Sequence, residues 1–151
     1  MLFFTGFTRF SSDTQKANAA GYKEKIAQRR EMLELVDEAE SILTNNTCDL
    51  DDFGRLLDKT WQLKCKTGNA VTTQHINDLY AKGLESGALG GKLLGAGGGG
   101  FLLFYVPPEK QKAVKEAMND LLYVPFRFEN SGTRVIHYTP ESYVPSQEAN
   151  K

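Results

Sequence analysis

The residues best suited to chemistry in this chain lie in one stretch, Gly87 to Gly100, which reads GALGGKLLGAGGGG. It holds eight of the fourteen glycines in the sequence and one cation, Lys92. A bare backbone can turn its N–H groups toward an anion without interference from side chains, so such a loop suits phosphate chemistry. Glycine is disfavoured inside regular elements, so a cluster needs a local reason. Two reasons stand open: several positions need φ > 0 for a turn between strands, or something large must approach where a Cβ would collide. Lys92 also has two readings, a strand-edge lysine with a solvated head or a cationic contact to phosphate or substrate.

The familiar phosphate loops do not fit. A Walker A loop needs Gly, four residues, then Gly-Lys-Ser/Thr. Counting back from Gly91-Lys92, the first position is Ser86, and the residue after the lysine is Leu93. Gly95, Gly97 and Gly100 match G-x-G-x-x-G, but that motif should open a helix whose N-terminus binds pyrophosphate. Here the β-type run Phe101 to Val106 follows. A tight strand–loop–strand corner with no ligand is the plain alternative.

The elements that must position this loop can be read along the chain. Leu2 to Phe7 predicts a buried strand, and Arg9 follows, either a solvated arginine or a contact to phosphate or sugar. Thr14 to Leu43 predicts a long helix, with Ile26, Leu33, Val36 and Leu43 on one stripe and Met32, Leu35, Ala39 and Ile42 beside it. Asp49 caps the next helix, which carries Phe53, Leu56, Leu57, Thr60, Trp61 and Lys64, with Trp61 as core. Lys66 to Thr72 reads as a polar loop. Thr72 or Thr73 caps a short helix through Ile76, Leu79, Tyr80 and Leu84, and Gly87 closes it. Leu89 to Leu94 predicts a strand, then the glycine loop, then the strand Phe101 to Val106. Pro107-Pro108 starts a helix with Val114, Ala117, Met118 and Leu121 inward. Tyr123 to Glu129 and Thr133 to Tyr138 predict two strands joined by the turn Asn130-Ser131-Gly132. The tail from Pro140 is polar and without periodicity. This order gives an α+β class, with helices gathered on one face of an antiparallel sheet.

Composition narrows the function. At 151 residues with 40% apolar and 25% charged residues, the chain is an ordinary soluble globular domain. A formal net charge of -1 supplies no field for nucleic acid or an anionic membrane. No apolar run reaches the ~18–20 residues that span a bilayer. Cys48 and Cys65 make no disulfide framework and read as reduced thiols of a cytoplasmic protein. His75 and His137 have no partners at metal-ligand spacing, and no nucleophile–base pair is identifiable. Met1-Leu2-Phe3-Phe4 lacks the features of a signal peptide. An apolar strand at residue 1 reads as the middle of a larger protein.

Lys92-Leu93-Leu94-Gly95-Ala96-Gly97-Gly98-Gly99-Gly100-Phe101 resembles the third motif of the GHMP kinases, the family of galactokinase and of homoserine, mevalonate and phosphomevalonate kinases. Leu2-Phe3-Phe4-Thr5-Gly6-Phe7-Thr8-Arg9, Leu56 to Lys64, and Gly132-Thr133-Arg134-Val135-Ile136 extend the resemblance to about Thr139. They resemble the C-terminal half of one branch, the bacterial D-glycero-D-manno-heptose phosphate kinases, with the fucokinase-like sugar kinases nearby.

The resemblance implies a ferredoxin-like C-terminal domain over residues 1–139 and a tail over 140–151. It implies a kinase using ATP and Mg²⁺ to phosphorylate a sugar phosphate, at C1 in the heptose branch. Gly95, Ala96, Gly97, Gly98, Gly99 and Gly100 would support the nucleotide-phosphate loop of another domain. Arg9 and Lys92 would lie toward the substrate. The family's first two motifs and its catalytic aspartate belong to an N-terminal domain with no counterpart in these residues, so no catalytic residue and no protein-built metal site is expected here. Exposure of the face meeting that domain would favour self-association, hence a homo-oligomer. The rival expectation is a stand-alone ligand- or protein-binding module derived from a kinase.

Overall fold

The computed structural model describes residues 1–6, 26–67, 71–95, 98–135 and 137–138. Strand β1 spans Leu2–Phe4, followed by helices α1 (Ile26–Thr44), α2 (Leu50–Lys66) and α3 (Gln74–Glu85). Strands β2 (Gly90–Leu94) and β3 (Phe101–Tyr105), a 3₁₀ turn at Pro108–Lys110, helix α4 (Gln111–Ala117) and strand β4 (Leu122–Tyr123) complete the order. The four strands form one antiparallel sheet in the order β2-β3-β1-β4. The expected α+β sandwich is therefore present.

Local chemistry sets the helix ends. Asp49 caps α2, its carboxylate accepting from Asp51 N at 2.9 Å. Of the two threonines offered for α3, Thr73 is the cap, accepting from Ile76 N at 3.3 Å. Gly87, at φ +115°, ends α3 one residue past its C-cap. Its N–H reaches Leu84 O and that of Ala88 reaches Gly83 O, the paired bonds of a Schellman motif.

The main core joins one sheet face to α3, α4 and part of α2. Phe3, Leu102, Phe104, Ile76, Val114 and Met118 are fully or almost fully buried there, with Trp61 and Tyr80. Trp61 is core, as its stripe predicts. Helix α2 reaches β2 through a close backbone approach, since a Cβ on Gly90 would collide with the carbonyl oxygen of Gly54. Helix α1 packs on α2 in a second cluster of Leu35, Ile42, Leu56 and Leu63. The opposite sheet face carries Phe4 against Phe101, with Phe101 and Leu122 exposed.

Two expectations need correction. On α1 the stripe of Ile26, Leu33, Val36 and Leu43 is exposed, while Leu35 and Ile42 from the neighbouring stripe are buried. The apolar arc is wider than one partner helix covers, and α2 takes the Leu35 side. At the other end, the strands expected over residues 123–129 and 133–138 reduce to Leu122–Tyr123. The remaining described residues up to Tyr138 form no strand, and Phe128, Val135 and Tyr138 are among the most exposed apolar side chains. The chain does bend between them, although no hairpin forms. Glu129 Oε1 accepts from Asn130 N, Ser131 N and Ser131 Oγ, and Arg134 pairs with the same carboxylate. A strand needs a neighbour for its backbone groups, however, and alternation in sequence does not supply one. Phe7, Arg9, the helix expected from Thr14 to residue 25, Gly68-Asn69, Thr139 and the tail from Pro140 lie outside the described residues.

Candidate functional site

The site is the bend between β2 and β3. Their ladder closes at Leu94↔Phe101, leaving residues 95–100 as the connection. Gly95, Gly98 and Gly100 have φ of +124°, +71° and +122°, values that L side chains adopt rarely. At Gly100 a side chain would also collide with the carbonyl oxygen of Leu94. Both sequence-level reasons for glycine, turning and close approach, therefore operate at this one position. Ala96 and Gly97 lie outside the described residues.

Two anchors from outside the hairpin hold the bend. Thr5, 2% exposed just beyond β1, grips Gly100. Thr5 N and Thr5 Oγ1 each donate to Gly100 O at 2.9 Å, and Gly100 N donates to Thr5 Oγ1 at 3.1 Å. Gly98 N donates to Val71 O at 3.2 Å, tying the crown of the bend to the segment between α2 and α3. The N–H groups of Gly98 and Gly100 thus end on protein acceptors. A phosphate would have to displace those acceptors to use them, whereas a second backbone could pack against the bend without doing so.

The strand leading into the bend is also fixed. In the β2–β3 register Gly91 turns its N–H and C=O to the free edge of β2. The Tyr80 phenol covers that edge, accepting from Gly91 N at 3.0 Å and donating to Asp58 Oδ1 at 2.7 Å. Burial, then the bond and the charge of Asp58, push the Tyr80 pKa well above the usual phenol value. The group is therefore a neutral structural clamp, and it blunts an exposed strand edge.

Lys92 follows directly and is exposed. It lies opposite Leu103, on the sheet face that carries Phe4 and Phe101. Gly95 lies three residue steps further along, about 10 Å at the usual rise. The structure thus brings Lys92 and the described bend glycines onto one hairpin, while Arg9 lies outside the described residues. Thr5, Tyr80 and Asp58 were missed as site-shaping residues. The available signal for Thr5 was a polar residue inside an apolar run.

Among the described residues no group of three or more His, Cys, Asp or Glu side chains could hold a metal ion, and no helix is long and apolar enough to cross a membrane. A cleft of about 420 Å³ between α1 and α2, lined by Glu38, Ser41, Asp52, Arg55 and Lys59 among others, shares no residue with the bend.

Comparison with known proteins fits this architecture. The chain is 28% identical over 140 residues to D-glycero-alpha-D-manno-heptose 7-phosphate kinase of Campylobacter jejuni, a match covering 89% of this chain and 40% of that protein. It spans less than half the length of this curated relative. Among solved structures, the L. major mevalonate kinase in complex with R-mevalonate superposes with a TM-score of 0.64 at 18% identity, covering 79% of this chain and 37% of that one. The Methanococcus jannaschii mevalonate kinase gives 0.57 at 25% identity, covering 79% and 35%. The family described as GHMP kinases C terminal matches residues 30–124, well over half the chain and inclusive of the whole β2–bend–β3 hairpin. The chain belongs to that family.

Proposed function

We propose that this chain is the C-terminal half of an ATP-dependent sugar kinase, transferring the γ-phosphoryl group of ATP to a hydroxyl of a heptose phosphate. In this reading the bend from Gly95 to Gly100 backs the nucleotide-phosphate loop of an N-terminal domain, and Lys92 and Arg9 lie toward the sugar phosphate. Phosphoryl transfer needs positioning and charge stabilisation more than covalent chemistry from the protein. A glycine-rich bend behind a phosphate loop would supply the positioning. Mg²⁺ would arrive on the phosphates of ATP. Among the described residues no group of three or more His, Cys, Asp or Glu side chains could hold it. The heptose substrate is favoured by the Campylobacter jejuni relative, and the cytoplasmic setting by the substrates such a kinase uses.

The observation that carries the reading is the doubly anchored bend. The N–H groups of Gly98 and Gly100 are already bonded to Val71 and Thr5, which suits packing against another backbone better than direct capture of an anion at these two positions. The test is a coupled ATPase and phosphate-transfer assay with ATP, Mg²⁺ and heptose 7-phosphate. The 151-residue chain alone should show no turnover above background. The chain joined to an N-terminal domain bearing a phosphate loop should phosphorylate the heptose. Substantial turnover by the chain alone, or none by the joined protein, would overturn the proposal.

A further inference from the structure

We infer that α1 is a self-pairing surface. Its outer apolar stripe receives a second copy of this chain, and the two α1 helices pack antiparallel about a two-fold axis. The inference does not depend on the activity proposed above, since the stripe shares no residue with the glycine bend.

The stripe is built like one side of a two-helix seam. Met32, Leu35, Ala39 and Ile42 turn toward α2. Roughly 110° around the helix from that side, Ile26, Leu33, Val36 and Leu43 are 44%, 69%, 56% and 56% exposed. With Arg29 and Glu40 they recur in alternating steps of three and four along the whole of α1. That is the repeat of about 3.5 residues seen where helices pair along their length. Large apolar side chains in line on one exposed helix face make the kind of patch that marks an interaction surface.

Charge identifies the occupant. No acidic residue stands in the first turn of α1 and no basic one in the last. Arg29 and Arg30 lie near its start and Asp37 and Glu40 in its second half, the reverse of what the helix dipole favours. An antiparallel copy offsets this, because its dipole runs the other way and its acidic half lies beside the basic end. When Leu33 is set opposite Val36 of the second copy, the rest of the register follows. Ile26 meets Leu43, Arg29 meets Glu40 and Arg30 flanks Asp37, and the two-fold axis repeats each contact. Each of these pairs is apolar with apolar or cation with anion. A parallel pair in register would set Arg29 against Arg29 and Glu40 against Glu40. The stripe is thus complementary to itself in the antiparallel direction, a match that an unrelated partner would not require.

The test is sedimentation equilibrium of the full chain over a concentration series, read beside circular dichroism. One helix pair is a small interface, so the chain should be a reversible, concentration-dependent dimer. Leu33→Asp should leave a monomer with an unchanged helix signal, because Leu33 is exposed in the single chain. Arg30→Glu should raise the dissociation constant about tenfold, and adding Asp37→Arg should restore it. Direction is read by oxidation. An equimolar mixture of Ile26→Cys and Leu43→Cys chains should link through the two introduced thiols, identified by peptide mass, and neither introduced thiol should link to its own copy when its chain is oxidised alone. A monomer at every concentration, a dimer unaffected by Leu33→Asp or Arg30→Glu, or linking of either introduced thiol to its own copy would overturn the inference.

Discussion

Two turns in this molecule were legible as turns, and they came to opposite ends. The bend at Gly95–Gly100 closes a five-residue ladder and is gripped by Thr5 and Val71 from other parts of the chain. The turn at Glu129–Gly132 is closed by bonds to the Glu129 carboxylate, and the described residues on either side of it form no strand. Both have suitable turn residues and apolar flanks. The difference lies in the neighbours. β2 and β3 have each other, with β1 beside them, whereas β4 finds only a three-residue β1. Turn chemistry fixes where a chain can reverse, and the sheet forms only where backbone groups find partners.

Substitution at the two turn glycines should separate the regions most strongly. Gly100→Ala meets both an unfavourable φ and the Leu94 carbonyl, and should destabilise the fold by about 3 kcal/mol. Gly132 has φ +63° but nothing within 4 Å of an added Cβ, so Gly132→Ala should lose only about 1 kcal/mol. Urea denaturation midpoints at constant slope would measure both. Equal losses would mean that the bend is no more constrained than the distal turn.

A smaller effect isolates the anchor. Thr5→Val keeps the shape but removes the acceptor for Gly100 N in a site 2% exposed. Leaving that buried donor unpaired should cost about 2 kcal/mol, and Thr5→Ser should restore most of it. The Gly100 amide should exchange faster in the valine variant, with Ser131 unchanged. A neutral Thr5→Val would show that the bend is held by the ladder alone.

The same contrast explains what the sequence made legible. Caps at Asp49 and Thr73, the Gly87 stop and the Val114–Met118 stripe depend on neighbours within a few residues, and all appear as read. The glycine bend was recognisable because its composition is unusual at any separation. Its anchors were not, because Thr5 and Gly100 are 95 residues apart and nothing local in either marks the other. The buried side of α1 failed for a related reason. Periodicity showed an apolar arc over Met32 to Leu43, but the half that meets α2 depends on how two helices cross, so Leu33 and Val36 came out exposed. The C-terminal strands failed because alternation describes a segment, while pairing is a property of two.

The smallest expected effect belongs to the weaker turn and depends on pH. Bonds from Ser131 Oγ, Ser131 N and Asn130 N hold the Glu129 pKa below its usual 4.5. A carboxyl whose folded pKa is depressed adds stability above its unfolded value, and that stability is lost as pH falls through the lower, folded value. The turn should therefore be intact at neutral pH and loosen only in acid, below about 4.5. The bend, held by neutral backbone and hydroxyl groups, should not respond. In an NMR titration the Ser131 amide should shift with a midpoint below that of a free glutamate, while Gly98 and Gly100 stay flat across the range. Glu129→Gln should abolish the Ser131 transition. A Ser131 midpoint at the ordinary glutamate value would mean that the carboxylate does not close this turn in solution.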